Sequence, residues 1–243
     1  FVGVGEKGKT IRSIDDGSSW DNESCQIMTD LNGVTYGNNT FVAVGDRRNG
    51  YGTVLRSIDN ASSFSEISGY TSSENNAITF GNNTFVAVSN SGRTGRSPND
   101  GSSFTYKSSN QSYNLEGVAF GNNTFIGVIS NSYYYYRGIV KSVNDGLSWT
   151  HNRNTPSPYR MLYGVAFGNN KFVAVGSSGK ILISTNNGTN WSNSTSGTSN
   201  NLTGVSFGNN TFVAVGSGGK ILRSTDNGAT WNNSTSGTSN QLN

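Results

Sequence analysis

The chain has 243 residues, of which 32 are Gly, 35 Asn and only 3 Pro, and 13% are charged. The net charge of +3 is mild, and no basic run is interleaved with aromatics, which argues against a nucleic-acid surface. No apolar run approaches the ~20 residues a membrane helix needs, and a single cysteine, Cys25, allows no intrachain disulfide.

Short β-branched runs separated by Gly/Asn turns predict an all-β chain. Residues 1–12 (FVGVGEKGKTIR) read as two strands, followed by Ser13-Ile14-Asp15-Asp16-Gly17-Ser18-Ser19-Trp20. That eight-residue pattern returns from Ser57, Ser97, Ser142, Ser184 and Ser224, at intervals of 44, 40, 45, 42 and 40 residues. A period in this range means a solenoid, a propeller or an array. The third position holds Asp15, Asp59, Asn99, Asn144, Asn186 or Asp226, whose side chains accept backbone N–H bonds and close a turn. The fifth position is Gly in every copy but one, where Ala61 predicts a strained or differently shaped turn. The eighth, Trp20, Phe64, Phe104, Trp149, Trp191 or Trp231, is an apolar plug expected to re-enter the core.

The last full repeat supplies a template. Residues 202–207 form strand a, GNN a turn, 212–216 strand b, SGG a turn and 220–224 strand c; the eight-residue turn then leads into strand d. Later repeats begin near Leu31, Asn75, Leu115, Leu162 and Leu202. Four short strands per 40-odd residues make one propeller blade. The expectation is a single domain over residues 1–243, an all-β six-bladed β-propeller of four-stranded antiparallel blades. The first blade lacks its inner strand, and its open edge is expected to be covered by the C-terminal tail or a partner. The chain opens at Phe1, without Met and in mid-repeat, which reads as a fragment or a processed product.

The S-x-[DN]-x-G-x-x-[WF] copies resemble the Asp-box (BNR-like) repeat of sialidases, xyloglucanases, sortilin-type receptors and the photosystem II assembly factor family. That resemblance implies a β-propeller. It also implies that the box is structural and lies away from any active site.

The b–c and d–a loops share one face of such a fold and vary from copy to copy, as binding loops do. Three candidate sites lie there. Tyr133, Tyr134, Tyr135, Tyr136 and Arg137 combine rigid rings with a cation. Arg47, Arg48 and Tyr51 form a charged hairpin tip. Asn32, Asn76, Glu116, Tyr163 and Thr203 recur at the start of strand a and would ring a channel mouth. By contrast, Arg12, Arg56, Arg96, Lys141 and Arg223 precede the turn in five of the six copies, so symmetry spreads them apart; interblade or surface packing is the expected role.

Glycosidases usually need two carboxylates at a defined separation, and Glu116 is the only acidic strand-a candidate. The one histidine, His151, is expected on an outer strand. No His, Cys, Asp or Glu cluster has metal-ligand spacing, and no cofactor is expected. The reading is a non-enzymatic extracellular or surface propeller binding a glycan or a protein. The alternatives are an assembly module, self-associating or attached to further domains, and a glycoside hydrolase with Glu116 as the first residue to change. Triplets such as Asn38-Asn39-Thr40 would accept glycans in a secretory setting.

Overall fold

The computed structural model describes residues 1–24, 27–67, 73–109, 113–130, 138–152, 154–156 and 161–243. These residues form six antiparallel sheets, each a meander in chain order. The architecture is a six-bladed β-propeller with four strands per blade, except that the first has three: Val2–Val4, Lys9–Arg12 and Asp21–Ser24. Its inner strand is missing, as the repeat count predicts.

Local chemistry explains each turn. In the sixth sheet, strand a (Leu202–Gly208) pairs with strand b (Thr211–Gly216) through Asn209 and Asn210, at φ 44° and 59°. Two consecutive left-handed residues make a type I′ hairpin, whose twist matches that of the strands, and Asn tolerates this conformation better than other non-Gly residues. The same Asn-Asn pair makes the equivalent turn in the other four-stranded sheets.

The eight-residue turn is also closed by its own side chains. Asp15 Oδ1 accepts from Ser19 N at 2.9 Å, Asp15 Oδ2 from Ser19 Oγ at 2.6 Å, and Ser13 Oγ from Gly17 N at 2.8 Å. Asp59 and Asp226 repeat this network with Ser63 and Thr230. Asn99 and Asn144 accept from the backbone N–H and donate Nδ2 to the serine hydroxyl, while Asn186 accepts from Asn190 N. Ala61 keeps the shared geometry: its φ is +60° and its N–H still reaches Ser57 Oγ at 2.9 Å. The turn there is strained rather than reshaped.

The chain forms two compact units. One comprises Phe1–Ser112 with Asp145–Leu147; the other comprises Tyr113–Asn144 with Ser148–Asn243. In the first, Val42, Val44, Val54, Ile78, Phe85, Ala87 and Phe104 form one core cluster. In the second, Ile126, Val128, Ile139, Leu162, Phe172 and Trp191 pack together. Phe85, Phe125, Phe172 and Phe212 are fully buried, each contributing about 1.5–3 kcal/mol.

Adjacent sheets lock by a recurrent plug and socket. In the first unit Arg56 Nε donates to Asp100 O at 2.6 Å and Arg96 Nε to Asp145 O at 2.8 Å. Asn38 and Asn82 donate Nδ2 to the side chains of the same two aspartates, at 2.9 and 3.0 Å. In the second unit Asn122 reaches Asn187 Oδ1 at 3.0 Å, Asn169 reaches Asn227 Oδ1 at 2.7 Å, and Lys141 Nζ reaches Thr189 Oγ1 at 3.1 Å. Arg56, Arg96 and Lys141 therefore clasp the next repeat's turn, an interblade role, whereas Arg223 is exposed.

One expectation needs correction. Trp20 does not enter a core: it is 46% exposed, against 8% for Trp149 and 6% for Trp191. Its Nε1 bond to Gly17 O is the one Trp191 and Trp231 also make, so the turn itself is intact. Burial of the later plugs comes from the preceding sheet, as with Trp191 against the Ile126 cluster. The C-terminal tail bonds to the sixth sheet, where Leu242 N donates to Gly216 O at 3.1 Å.

Candidate functional site

Each strand a carries a β-bulge one residue in from its start. The register shifts between Leu31 and Gly33, Asn75 and Ala77, Leu115 and Gly117, Leu162 and Gly164, and Leu202 and Gly204. The residues skipped are Asn32, Asn76, Glu116, Tyr163 and Thr203. A bulge re-aims the side chain of its extra residue, which gives the recurrent polar position a structural cause. The glycine that follows lets neighbouring inner strands converge: a Cβ on Gly164 would lie 3.2 Å from Gly204 Cα.

In the second unit the bulge residues Glu116, Tyr163 and Thr203 line one groove together with Asn201, Ser217 and Gln241, with a volume of about 410 Å³. Ser217 belongs to a b–c turn, and Asn201 and Gln241 precede strand a or its equivalent, so the groove lies on the variable-loop face. Ser130 Oγ donates to Glu116 Oε1. Tyr163 OH meets Met161 Sδ at 3.5 Å. Thr203 Oγ1 lies within reach of the carbonyl oxygens of Val215, at 3.3 Å, and Leu242. Asn201 Oδ1 accepts from Ser178 N at 2.9 Å, which leaves its Nδ2 to donate. The lining thus offers one carboxylate, a phenol ring and primary amides.

In the first unit the equivalent residues are hydrogen-bonded to nearby groups, Asn32 bridging from its own hairpin to the next sheet. Asn32 Nδ2 donates to Asp46 Oδ1 at 2.7 Å and to Asn75 O at 3.0 Å. Asn76 donates to Asn90 Oδ1, and Asn90 to Glu74 Oε2, at 2.8 and 2.7 Å.

Strands Thr40–Arg48 and Tyr51–Ser57 extend into a hairpin with Asn49 and Gly50 at its tip. There Arg48 pairs with Glu66 at 2.6 Å and Arg47 donates to Gly50 O at 3.2 Å, so both cations are engaged within the hairpin's own sheet. Tyr51 is 50% exposed at the tip. Tyr133, Tyr134, Tyr135, Tyr136 and Arg137 lie outside the described residues. His151 sits on the outermost strand of its sheet, opposite Val140. Among the described residues no three His, Cys, Asp or Glu side chains are placed to hold a metal ion, and no helix is long and apolar enough to cross a membrane. The Asn38, Asn82 and Asn122 amides, candidate glycan acceptors by sequence, are spent on the next repeat's turn.

Sequence reasoning missed Asn201, Ser217 and Gln241. Asn201 and Gln241 occupy the same place in successive repeats, which was the available signal.

Two solved structures share the fold. One, described as YCF48 bound to D1 peptide, aligns at a TM-score of 0.72 and 18% identity over 96% of this chain and 76% of its own. The other, YCF48 from Cyanidioschyzon merolae, aligns at 0.68 and 17% over 96% and 80%. No curated protein sequence matches the chain. Residues 117–242, more than half of the chain, match the family model described as the DUF6242 beta propeller domain, and the chain belongs to that family.

Proposed function

We propose that the chain is a non-catalytic protein-binding module that takes an extended peptide in the Glu116–Tyr163–Thr203 groove. The observation that carries this is the groove itself: three bulge residues and two primary amides converge on one face. Small polar lining with a single aromatic ring suits a peptide main chain, and Glu116, the one lining carboxylate, suits a Lys or Arg side chain on it. A lone carboxylate is short of the pair that glycoside hydrolysis ordinarily uses, which favours binding over catalysis. The structural likeness to a YCF48 described as bound to a peptide supports a protein partner for a fold of this kind. We also read the eight-residue turns as Asp-boxes with a structural role, on the strength of their self-closing carboxylates and amides.

The test is a peptide array of mixed charge, run beside a glycan array, followed by titration of the best ligand into Glu116→Gln and Tyr163→Ala. Selective binding of basic peptides, weakened about tenfold or more in each variant, is expected. Binding confined to glycans, or peptide binding that neither substitution alters, overturns the reading.

A further inference from the structure

The fifth and sixth sheets carry nearly the same text after their tryptophans: residues 192–200 read SNSTSGTSN and residues 232–240 read NNSTSGTSN. Each stretch folds into the same small cradle. A serine hydroxyl closes the turn, Ser196 Oγ donating to Thr198 O at 3.2 Å and Ser236 Oγ to Thr238 O at 3.0 Å. That carbonyl packs on the glycine before strand c: a Cβ on Gly179 would lie 1.9 Å from Thr198 O, and one on Gly219 1.8 Å from Thr238 O. The next residue is lysine in both, and its ammonium donates to an asparagine of strand d. Lys180 Nζ reaches Asn193 Oδ1 at 2.6 Å and Lys220 Nζ reaches Asn233 Oδ1 at 2.8 Å.

The two cradles differ in what reaches the ammonium. Lys180 Nζ also donates to Pro156 O, at 3.4 Å, from the connection that leads into its sheet. The connection into the sixth sheet, from Trp191 to Leu202, is two residues shorter than the one from Trp149 to Leu162, and none of its residues lines the sixth-sheet cradle. There Lys220, Asn233 and the turn at 234–239 line a cavity of about 400 Å³, within the size range of small-molecule sites. The lining holds one ionic group, the Lys220 ammonium, and no carboxylate. Asn233 Oδ1 is taken by that ammonium, which leaves Asn233 Nδ2 to donate. The Pro156 carbonyl in the fifth-sheet copy shows the kind of atom such a lysine takes, an acceptor oxygen.

We propose that the sixth-sheet cradle binds a phosphate or sulfate group. The Lys220 ammonium and Asn233 Nδ2 donate to its oxygens, and the Ser234 and Thr235 hydroxyls add donors from the turn. Charge assistance makes the ammonium bond the strong one, with lysine acting as a point charge. Donors supplied by a strand, its neighbour and a turn suit a tetrahedral oxyanion better than a planar carboxylate. The cavity is roomier than a bare anion needs, so an ester enters with its organic part toward the open side. The fifth-sheet cradle, whose lysine already holds Pro156 O, does not bind. The site shares no lining residue with the Glu116–Tyr163–Thr203 groove, so it stands or falls separately from peptide binding there.

NMR titration of isotope-labelled protein tests it, with inorganic phosphate, sulfate and a monoester, methyl phosphate, as ligands. Sodium chloride at matched ionic strength is the control, because an exposed ammonium is sensitive to screening. Saturable shifts that chloride does not produce are expected at the amides of residues 218–220 and 233–239. Lys220→Gln weakens binding about tenfold or more. Asn233→Asp, which sets a carboxylate beside the ammonium, removes it, and Lys180→Gln leaves it unchanged; a dispersed spectrum reports that each variant is folded. Tighter binding of the ester than of inorganic phosphate identifies an esterified ligand, and the reverse a free anion; either supports the site. The proposal is overturned by the lack of a saturable shift at these amides, by shifts that chloride reproduces, by binding that survives both Lys220→Gln and Asn233→Asp, or by an equal loss in Lys180→Gln.

Discussion

Gly168 faces the ring of Phe207 so closely that a Cβ at position 168 would lie 2.1 Å from Phe207 Cγ. The pairs Gly37–Phe80 and Gly121–Phe167 repeat this contact at 2.2 and 2.1 Å. Each phenylalanine caps the preceding hairpin while its ring leans on a second phenylalanine of its own sheet, Phe207 on Phe212 at 4.6 Å between centroids. Gly168→Ala is expected to destabilise by about 1–3 kcal/mol through overpacking. Gly208, which has nothing within 4 Å of its virtual Cβ, is the control, and Gly208→Ala is expected to be near neutral. Urea denaturation of the two variants checks both.

Ala61 marks the opposite case, a side chain where the turn favours none. Its φ of +60° costs an L-residue about 1–2 kcal/mol, and its methyl, although buried, is small. Ala61→Gly is expected to stabilise the protein by about 1 kcal/mol, seen as a higher urea midpoint with an unchanged slope.

The turn carboxylates set an acid limit. The Ser19 hydroxyl, then the Ser19 N–H and the Ser13 hydroxyl, hold Asp15 down to about 2, below its ordinary 3.8. Ser63 does the same for Asp59 and Thr230 for Asp226. Depressed folded-state values mean that these groups stabilise the fold above about pH 4 and lose that contribution as pH falls toward 2. The Asp15→Asn/Asp59→Asn/Asp226→Asn variant should flatten stability across that window by lowering it at neutral pH toward the wild type's acid level. The turns that already carry Asn99, Asn144 and Asn186 show that the amide is compatible. Urea midpoints from pH 5 to pH 2, in roughly half-unit steps, check this.

A buried polar pair replaces a Leu–Gly pair in the third sheet. Ser89 Oγ donates to Asn75 Oδ1 at 2.7 Å, and Asn75 Nδ2 donates to Thr53 O at 3.2 Å; both residues are fully buried. The second, fifth and sixth sheets pair Leu31 with Gly45, Leu162 with Gly176 and Leu202 with Gly216 at this register. Asn75→Leu strands the Ser89 hydroxyl and is expected to cost about 1–3 kcal/mol. Adding Ser89→Gly should recover most of the loss, and a double-mutant cycle measures the coupling.

Much of this molecule was legible one repeat at a time. The self-closed turns were readable because Asp15 and its copies bond residues only four positions on. The missing inner strand followed from counting, and the polar position at 32, 76, 116, 163 and 203 from its recurrence. The bulge that gives that position its role was not visible, because a bulge exists only in register with strand b. Trp20 was misjudged for a related reason: its pattern matches Trp191, but burial depends on what the preceding sheet supplies.

The sequence by itself determined the blade unit, its turns and their number, since all of these rest on hydrogen bonds and φ angles within a few residues. Tertiary structure alone decided which blade surfaces meet within each unit. Asn38 finds Asp100 at 62 residues' remove and Arg56 finds Asp100 at 44, separations across which near-identical repeats offer several equivalent partners. Only packing in three dimensions selects among them. For the same reason Glu116, Tyr163 and Thr203 became one groove, while Asn32 bonds across to Asn75 O of the next sheet and Asn76 bonds within its own repeat.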